Sequence, residues 1–567
     1  MTSEIRLESG VTIPMRDGAK LAADIWHPKS QAPVSAILFR TPYNRTLLNS
    51  EFLRPQDAAR AGFAAVVQDT RGRFDSEGDW APGMWAQEGE DGYDTVEWIA
   101  DQAWCSGAVG MSGPSYLAIA QLAAAALSPP HLKAIAPAMA TTLEDEIAET
   151  GGAVRLDHLI SWAAFMALDW MRKREAEGRP LHPTHAAVIL AAAMDPRAVM
   201  DHRPLREAPL FGVPDLPISF DALFGAADAT ALAARAFQLP CLNVGGWYDV
   251  FARSTVAQHG RQVRSGREDS HLLMGCWTHG GTLPQQHGEV NFGLAASGGG
   301  GRIADLHLEF FRKYLDGEPS GLAPVRFFLA GANAWEEAQT WPPAGARNES
   351  VPLTGPDDTD GGAFEYDPMN PTPTVGGRTL YIGGLAMGPI DQRKMDGRTD
   401  FIRYVTEPCE EPLEMVGPVA VRLRVQSSTE DTDIVAKLLV RDGGGELLPL
   451  CEGALRLSFR DGLDRPRSMA PDHPVDVSIS LGDVAWRTPT GARLVLQIQS
   501  ANYPHLDPNM NAICLFGSLA CGEPTKTTIW HSGGVSKVEL SMRSEKAPAA
   551  FTLWERGDIL ALPANHP

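Results

Sequence analysis

The stretch Ala108-Val109-Gly110-Met111-Ser112-Gly113-Pro114-Ser115-Tyr116-Leu117-Ala118 narrows the choice of fold more than any other part of the chain. It reads as a short apolar strand, a tight glycine turn, a serine and the start of a helix. A serine on such a corner projects its Oγ above the sheet that supplies the strand, the arrangement of a nucleophile elbow. From there it can attack an acyl carbon and carry the acyl group covalently. The usual elbow is Gly-x-Ser-x-Gly. Here Leu117 takes the place of the second glycine, and the small Ala118 one position later lets the helix pack close. Ser112, between Gly110 and Gly113, is a rival. It is expected at the last residue of the strand, whereas Ser115 stands at the turn into the helix, and elbow geometry favours Ser115.

The surroundings of this corner specify the rest of the sheet. Val11–Met15 and Leu21–Trp26 flank the turn Arg16-Asp17-Gly18, a hairpin. Ala36-Ile37-Leu38-Phe39 and Phe63-Ala64-Ala65-Val66-Val67 are continuous apolar runs, and Leu132–Ala136 is another. Asp91–Ala103 carries helical spacing through Tyr93, Val96, Trp98 and Ile99. Continuous apolar strands alternating with helices imply a parallel sheet covered on both faces, with chemistry at the strands' carboxyl ends. From about residue 143 to 239 the strand signal disappears. Ile160–Met171, Ala186–Met194 and Asp221–Phe237 read as helices, a cap inserted in the sheet domain.

Strands return at Cys241–Val244 and His271–Met274, followed by a helix over Ile303–Leu315. Beyond Pro342-Pro343 short β-runs such as Val419–Val425 and Leu494–Ile498 alternate with turns, Asp442-Gly443-Gly444-Gly445 among them. This is the pattern of a β-sandwich or jelly roll. Four regions follow: residues 1–142 and 240–345 as the two parts of an α/β core, 143–239 as the helical cap, and 346–567 as the β domain. A chain of 567 residues is long enough for several cores.

The formal net charge of −21 disfavours nucleic acid and anionic membranes as partners. The first residues lack a basic segment followed by an apolar run, and no apolar stretch approaches a membrane-spanning length. The seven cysteines are scattered, without Cys-x-x-Cys, as expected of reduced, mostly buried thiols in a cytoplasmic protein. No Cys/His spacing suggests a metal site. Gly298–Gly301 has no Lys or Ser/Thr placed for nucleotide binding and is expected to be a loop.

A nucleophilic serine needs a base and an acid that orients the base. After the strand Cys241–Val244 comes Gly245-Gly246-Trp247-Tyr248-Asp249, and after His271–Met274 comes Gly275-Cys276-Trp277-Thr278-His279. Acid and histidine thus follow two late strands at their carboxyl ends, in the order Ser, Asp, His. Taken singly, Asp249 is one of 70 acidic residues and His279 one of 15 histidines. The coincidence of three strand-end positions in the right order sets them apart. His271, on a strand, reads as a packed core histidine.

Several motifs together resemble the cocaine esterase-type serine hydrolases, related to X-Pro dipeptidyl-peptidases and α-amino acid ester hydrolases. They are Arg40-Thr41-Pro42-Tyr43, Gln68–Gly72, Glu90–Trp98, Gly110–Tyr116, Gly246–Asp249 and Trp277-Thr278-His279. Gly417-Pro418-Val419, Asn502-Tyr503-Pro504 and Asn509-Met510-Asn511 extend the likeness into the β domain. The resemblance implies an α/β-hydrolase core, a helical cap and a C-terminal jelly roll. It implies Ser115 as nucleophile, Asp249 as acid and His279 as base, with an oxyanion hole made by the Tyr43 hydroxyl and the Tyr116 backbone N–H. Asp69 and Arg71 are expected to hold a loop. Trp162, Phe165 and Trp170 in the cap, and Phe251 after Asp249, are candidate substrate contacts.

The α-amino acid ester hydrolases resembled here bind an ammonium group with carboxylates, some just after the triad aspartate. Here Val250-Phe251-Ala252-Arg253 follows Asp249, with a cation and no carboxylate. The expected substrate is therefore a carboxylic ester with a neutral or anionic acyl group, aromatic ones included, cleaved with water and without cofactor or metal. The alternatives are an X-Pro dipeptidyl-peptidase, an amide or β-lactam acylase, or a non-catalytic binding protein that uses its jelly roll. The β-rich ends could support a homodimer, which no sequence feature requires.

Overall fold

The computed structural model describes residues 4–142, 150–224, 238–356, 359–382 and 384–554. Its first sheet is built from β1 (Ile5–Pro14), β2 (Lys20–Pro28), β3 (Val34–Thr41), β4 (Ala64–Asp69) and β5 (Cys105–Pro114). It continues with β6 (Leu132–Ala138), β7 (Cys241–Tyr248), β8 (Ser270–Thr278), β9 (Val325–Leu329) and β10 (Ala334–Ala338). The spatial order is β1-β2-β4-β3-β5-β6-β7-β8-β9-β10. Neighbours from β4 to β9 run parallel, and β1, β2 and β10 add antiparallel edges. Every residue of β4, β7 and β8 is buried, because helices cover both faces. The apolar runs without alternation are the sequence record of that burial.

The helices are α1 (Pro55–Arg60), α2 (Trp85–Ala100), α3 (Tyr116–Ala126), α4 (Leu156–Ala176), α5 (Pro183–Met194) and α6 (Pro196–Met200), then α7 (Phe220–Phe224), α8 (Ala252–Arg264) and α9 (Ile303–Asp316). One face of the sheet packs Val109, Met111 and Ile135 against Val96 and Ile99 of α2 and Ala118 and Leu122 of α3. The other packs Ile37, Phe39 and Val244 against Ala58 of α1 and Ile303, Phe310 and Phe311 of α9. The segment from α4 to α7 is the helical cap. Its core of Leu156, Ile160, Ala163, Met166 and Ile189 closes over Trp80.

The C-terminal strands make a β-sandwich. Arg347–Thr354 joins its two sheets, pairing antiparallel with Lys537–Met542 in one and parallel with Phe551–Leu553 in the other. In the long strand Glu414–Ser427 buried and more exposed residues alternate, the period-2 pattern of a sheet with one face inward. The sandwich shares a core with the α/β domain, since Trp247, Tyr248, Met274 and Cys276 pack in one cluster with Phe327, Leu423 and Leu496. Arg378 reinforces that contact. Its guanidinium donates to Trp247 O (2.9 Å), Leu481 O (2.9 Å) and Asp483 O (2.8 Å). The sandwich also caps α4, whose Leu156 and Asp157 N–H groups donate to His505 O and Pro504 O at 3.0 and 3.1 Å. Those are first-turn donors with no partner inside the helix.

Several boundaries differ from those read in the sequence. Helix α2 begins at Trp85, six residues before Asp91, because its first turn, Trp85-Ala86-Gln87-Glu88, has no apolar period and instead buries Glu88. β5 continues to Pro114, so Ser112 lies inside the strand, fully buried, and not at its end. β9 and β10 were not foreseen. Of the helix expected over Asp221–Phe237, α7 ends at Phe224 and residues 225–237 lie outside the described residues. Cys105, Cys241, Cys276, Cys409 and Cys451 are buried, whereas Cys514 and Cys521 are exposed. Among the described residues no helix is long and apolar enough to cross a membrane.

Arg378→Leu would strip two buried carbonyls and one half-buried carbonyl of a guanidinium donor, and each unsatisfied buried group costs roughly 1–3 kcal/mol. The expected result is a destabilisation of about 3 kcal/mol or more, read as a lower midpoint in differential scanning calorimetry.

Candidate active site

Four loops leave the carboxyl ends of parallel strands on the same edge of the sheet. β3 leads to Tyr43, β5 to Ser115, β7 to Asp249 and β8 to His279. Ser115 has φ 59° and ψ −125°. That conformation is strained for a residue with a side chain, by roughly 1–3 kcal/mol. Its N–H donates to Ala138 O at 2.9 Å, and the buried helix α3 starts at the next residue. Gly113 (φ 131°) makes the turn possible. A Cβ there would sit 2.6 Å from Leu117 Cδ2. The leucine at the missing-glycine position is thus accommodated by the glycine before the serine, a packing that Ala118 alone did not explain.

The Ser115, His279 and Asp249 side chains form a continuous hydrogen-bonded chain. His279 Nε2 lies 3.0 Å from Ser115 Oγ, and Nδ1 lies 2.6 Å from Asp249 Oδ1. An ionised carboxylate only accepts, so Nδ1 carries the proton and donates, leaving Nε2 as acceptor for the serine O–H. Asp249 is completely buried. The two strand ends can come this close because of Gly246, where a Cβ would stand 2.2 Å from Trp277 O. Glu51 holds the turn after His279 by accepting from the Thr282 and Leu283 N–H groups. Phe251 packs edge-on against the His279 ring, centroids 5.3 Å apart, and against His158 at 5.4 Å.

Tyr43 and Tyr116 flank the serine. Tyr116 is the first residue of α3, so its N–H is among the donors no helix carbonyl takes. Its phenol is buried and donates to Glu88 Oε1 at 2.8 Å, while Glu88 Oε2 lies 2.8 Å from Arg40. Burial pushes the Glu88 carboxyl above its ordinary value despite Arg40. The Tyr43 hydroxyl accepts from Trp162 Nε1 at 3.0 Å and also interacts with Ser115. Burial raises its pKa, so the hydroxyl stays protonated at neutral pH.

Helix α4 lies over this group. His158, Trp162, Phe165 and Asp169 recur at helical spacing and form one stripe. Trp162 stacks near Tyr116, centroids 6.2 Å apart and planes at 26°, and Phe165 lies 6.3 Å from Tyr43. Phe165 remains 43% exposed. Trp170 stands off the stripe, under the Arg174 guanidinium at 5.0 Å, and does not join these rings. Asp169 accepts from Phe74 N–H at 3.1 Å and from Arg172 Nε at 2.9 Å, and lies 3.5 Å from Arg73 Nη2.

Asp69 and Arg71 hold loops, as expected. Asp69 accepts from Arg45, and Arg71 donates to Asp91 and Asp17. His271 is a buried core histidine between Ala323 O and the Tyr314 hydroxyl. Arg253 is a correction. Its side chain lies against Gly482 of the sandwich and faces Asp483, so it offers no cation to a ligand at Ser115. Sequence reasoning missed Glu88, Trp80 and Arg73. Arg73 follows directly on the Gln68–Gly72 motif, which was the available signal. Glu88 sits in a polar run that gave none.

The family model for X-Pro dipeptidyl-peptidase (S15 family) matches residues 17–281, and that for the X-Pro dipeptidyl-peptidase C-terminal non-catalytic domain matches residues 320–533. The chain is 32% identical over 539 residues to cocaine esterase of Rhodococcus sp. (strain MB1 Bresler), covering 89% of this chain and 92% of that one. Its fold is similar to that of an aminopeptidase from a marine sediment Thaumarchaeota archaeon. The TM-score is 0.76 at 23% identity, covering 96% of this chain and 97% of that one. It is also similar to an α-amino acid ester hydrolase, with TM-score 0.70 at 21% identity, covering 95% and 97%.

Gly246→Ala should force the ends of β7 and β8 apart. The expected result is a protein that folds, by circular dichroism, with kcat/KM for an activated ester reduced at least about tenfold, because the Asp249–His279–Ser115 chain is stretched.

Proposed function

We propose, from the premise that this chain belongs to the cocaine esterase family of serine hydrolases, that it cleaves carboxylic esters of uncharged organic acids through an acyl-serine at Ser115. The observation that carries the proposal is the His279 imidazole bonded at once to Ser115 Oγ and Asp249 Oδ1 beside a strained elbow. In this reading His279 Nε2 takes the Ser115 proton as Oγ attacks the ester carbonyl. The Tyr43 hydroxyl and the Tyr116 N–H receive the developing oxyanion. His279 then hands its proton to the leaving alcohol, and a water repeats the sequence to release the acid. Asp249 keeps the proton on Nδ1 and stabilises the imidazolium while it exists.

The surroundings support an uncharged, aromatic-tolerant acyl group. The α4 stripe offers two aromatic rings, an imidazole and one carboxylate, and that carboxylate is already bonded to Arg172 and Phe74. Among the described residues of that stripe, an ammonium substrate would find no carboxylate without a prior claim. The support is the aromatic lining and not Arg253, which faces the sandwich. Aromatic and apolar walls with few polar groups are the usual composition of small-molecule pockets.

Ser115→Ala should lower turnover of p-nitrophenyl butyrate by at least about 10⁴-fold, whereas Ser112→Ala, buried in β5, should keep kcat within an order of magnitude. Loss in the second variant and retention in the first would place the nucleophile elsewhere. Tyr43→Phe should reduce kcat about 10²–10³-fold, the usual loss for one oxyanion donor. The ester should be turned over faster than Gly-Pro p-nitroanilide, and the reverse preference would favour a dipeptidyl-peptidase.

A further inference from the structure

The contact between the cap and Tyr43 carries an inference that deepens the assignment above and rests on it. An indole N–H can only donate, and a phenol oxygen both donates and accepts. The Trp162 Nε1–H points at the Tyr43 oxygen at 3.0 Å, so it occupies a lone pair there. The tyrosine's own proton is left to point away from the indole, and Ser115 is among the side chains that act on the same hydroxyl. The indole is itself fixed, with Trp80 edge-on at 5.6 Å and Tyr116 stacked on it. A second link runs through Arg73, buried and donating to Pro42 O at 3.1 Å and Met166 O at 3.0 Å. It joins the residue before Tyr43 to the same helix α4 that carries Trp162.

We propose that Trp162 is a positioning residue that aims the Tyr43 hydroxyl proton at the developing oxyanion, so that the cap helix completes the oxyanion hole. The role differs from lining the acyl pocket. A wall residue changes how tightly substrate binds. A residue that orients a donor changes how well the donor stabilises charge that exists only in the transition state, and so acts on kcat. Losing the orientation without losing the donor should cost less than deleting Tyr43.

The test is a double-mutant cycle on kcat for p-nitrophenyl butyrate with Trp162→Phe, Tyr43→Phe and the pair. Rates are normalised to sites titrated by a fluorophosphonate, so unfolded protein does not count. Trp162→Phe keeps a ring in place and removes only the donor nitrogen. It should lower kcat about tenfold with KM changed less than about threefold. In the Tyr43→Phe background the same change should alter kcat less than about twofold, because no hydroxyl remains to orient. If the two losses multiply, or if Trp162→Phe acts on KM alone, Trp162 is a wall residue and the inference is overturned while the esterase assignment stands. Turnover retained in Ser115→Ala would instead remove the assignment on which the inference rests.

Discussion

The backbone of Ser115 occupies a region of φ and ψ that side chains avoid, and the rest of the site is arranged around the cost of keeping it there. The strain of about 1–3 kcal/mol is offset by structure on both sides of the residue. Its N–H is bonded to the end of β6, β5 is held between β3 and β6, and α3 is buried along nearly its whole length. No single contact would suffice, but a corner fixed by a strand and a helix can relax only if both move. The gain is an Oγ lifted off the sheet edge toward the loops that follow β7 and β8. The close approach at Gly246 delivers His279 and Asp249 to the same edge.

The α/β core does not complete this arrangement alone. The sandwich grips the end of β7, just before Asp249, through Arg378 and shares a hydrophobic core with Trp247 and Tyr248. It also caps the N-terminus of α4. That helix, in turn, is stapled to the Tyr43 loop by Arg73 and Trp162. Buried cations are costly to desolvate. Arg378 and Arg73 nevertheless sit at joints, each spending its donors on carbonyls of separate parts of the chain. A β domain placed behind the acid and a cap placed over the serine thus both bear on the position of the same few atoms.

The fold was legible where one physical signal dominated. Buried parallel strands left apolar runs without alternation, the cap left an interval of helical period, and the sandwich left short β-runs between turns. The order Ser115, Asp249, His279 was legible because parallel strands deliver their following residues to one edge, whatever lies between them in sequence. What could not be read were directions. Arg253 is one turn from Asp249 in sequence yet faces the sandwich, Trp170 shares a helix with Trp162 yet stands off its stripe, and Phe251 backs the His279 ring. The start of α2 was hidden because its first turn buries a carboxylate, Glu88, between Arg40 and Tyr116. Burial of that kind depends on partners distant in the chain and leaves no local pattern.

The central claim is that acyl groups pass through a covalent ester on Ser115. The most direct measurement is rapid acid quench of the enzyme during turnover of p-nitrophenyl butyrate, followed by peptide mapping by mass spectrometry. The account predicts a butyryl adduct on the peptide that contains Ser115, on that residue, appearing with a burst of nitrophenolate equal to the enzyme concentration. A butyryl group on Ser112 or on another residue, with Ser115 unmodified throughout the burst, would contradict it.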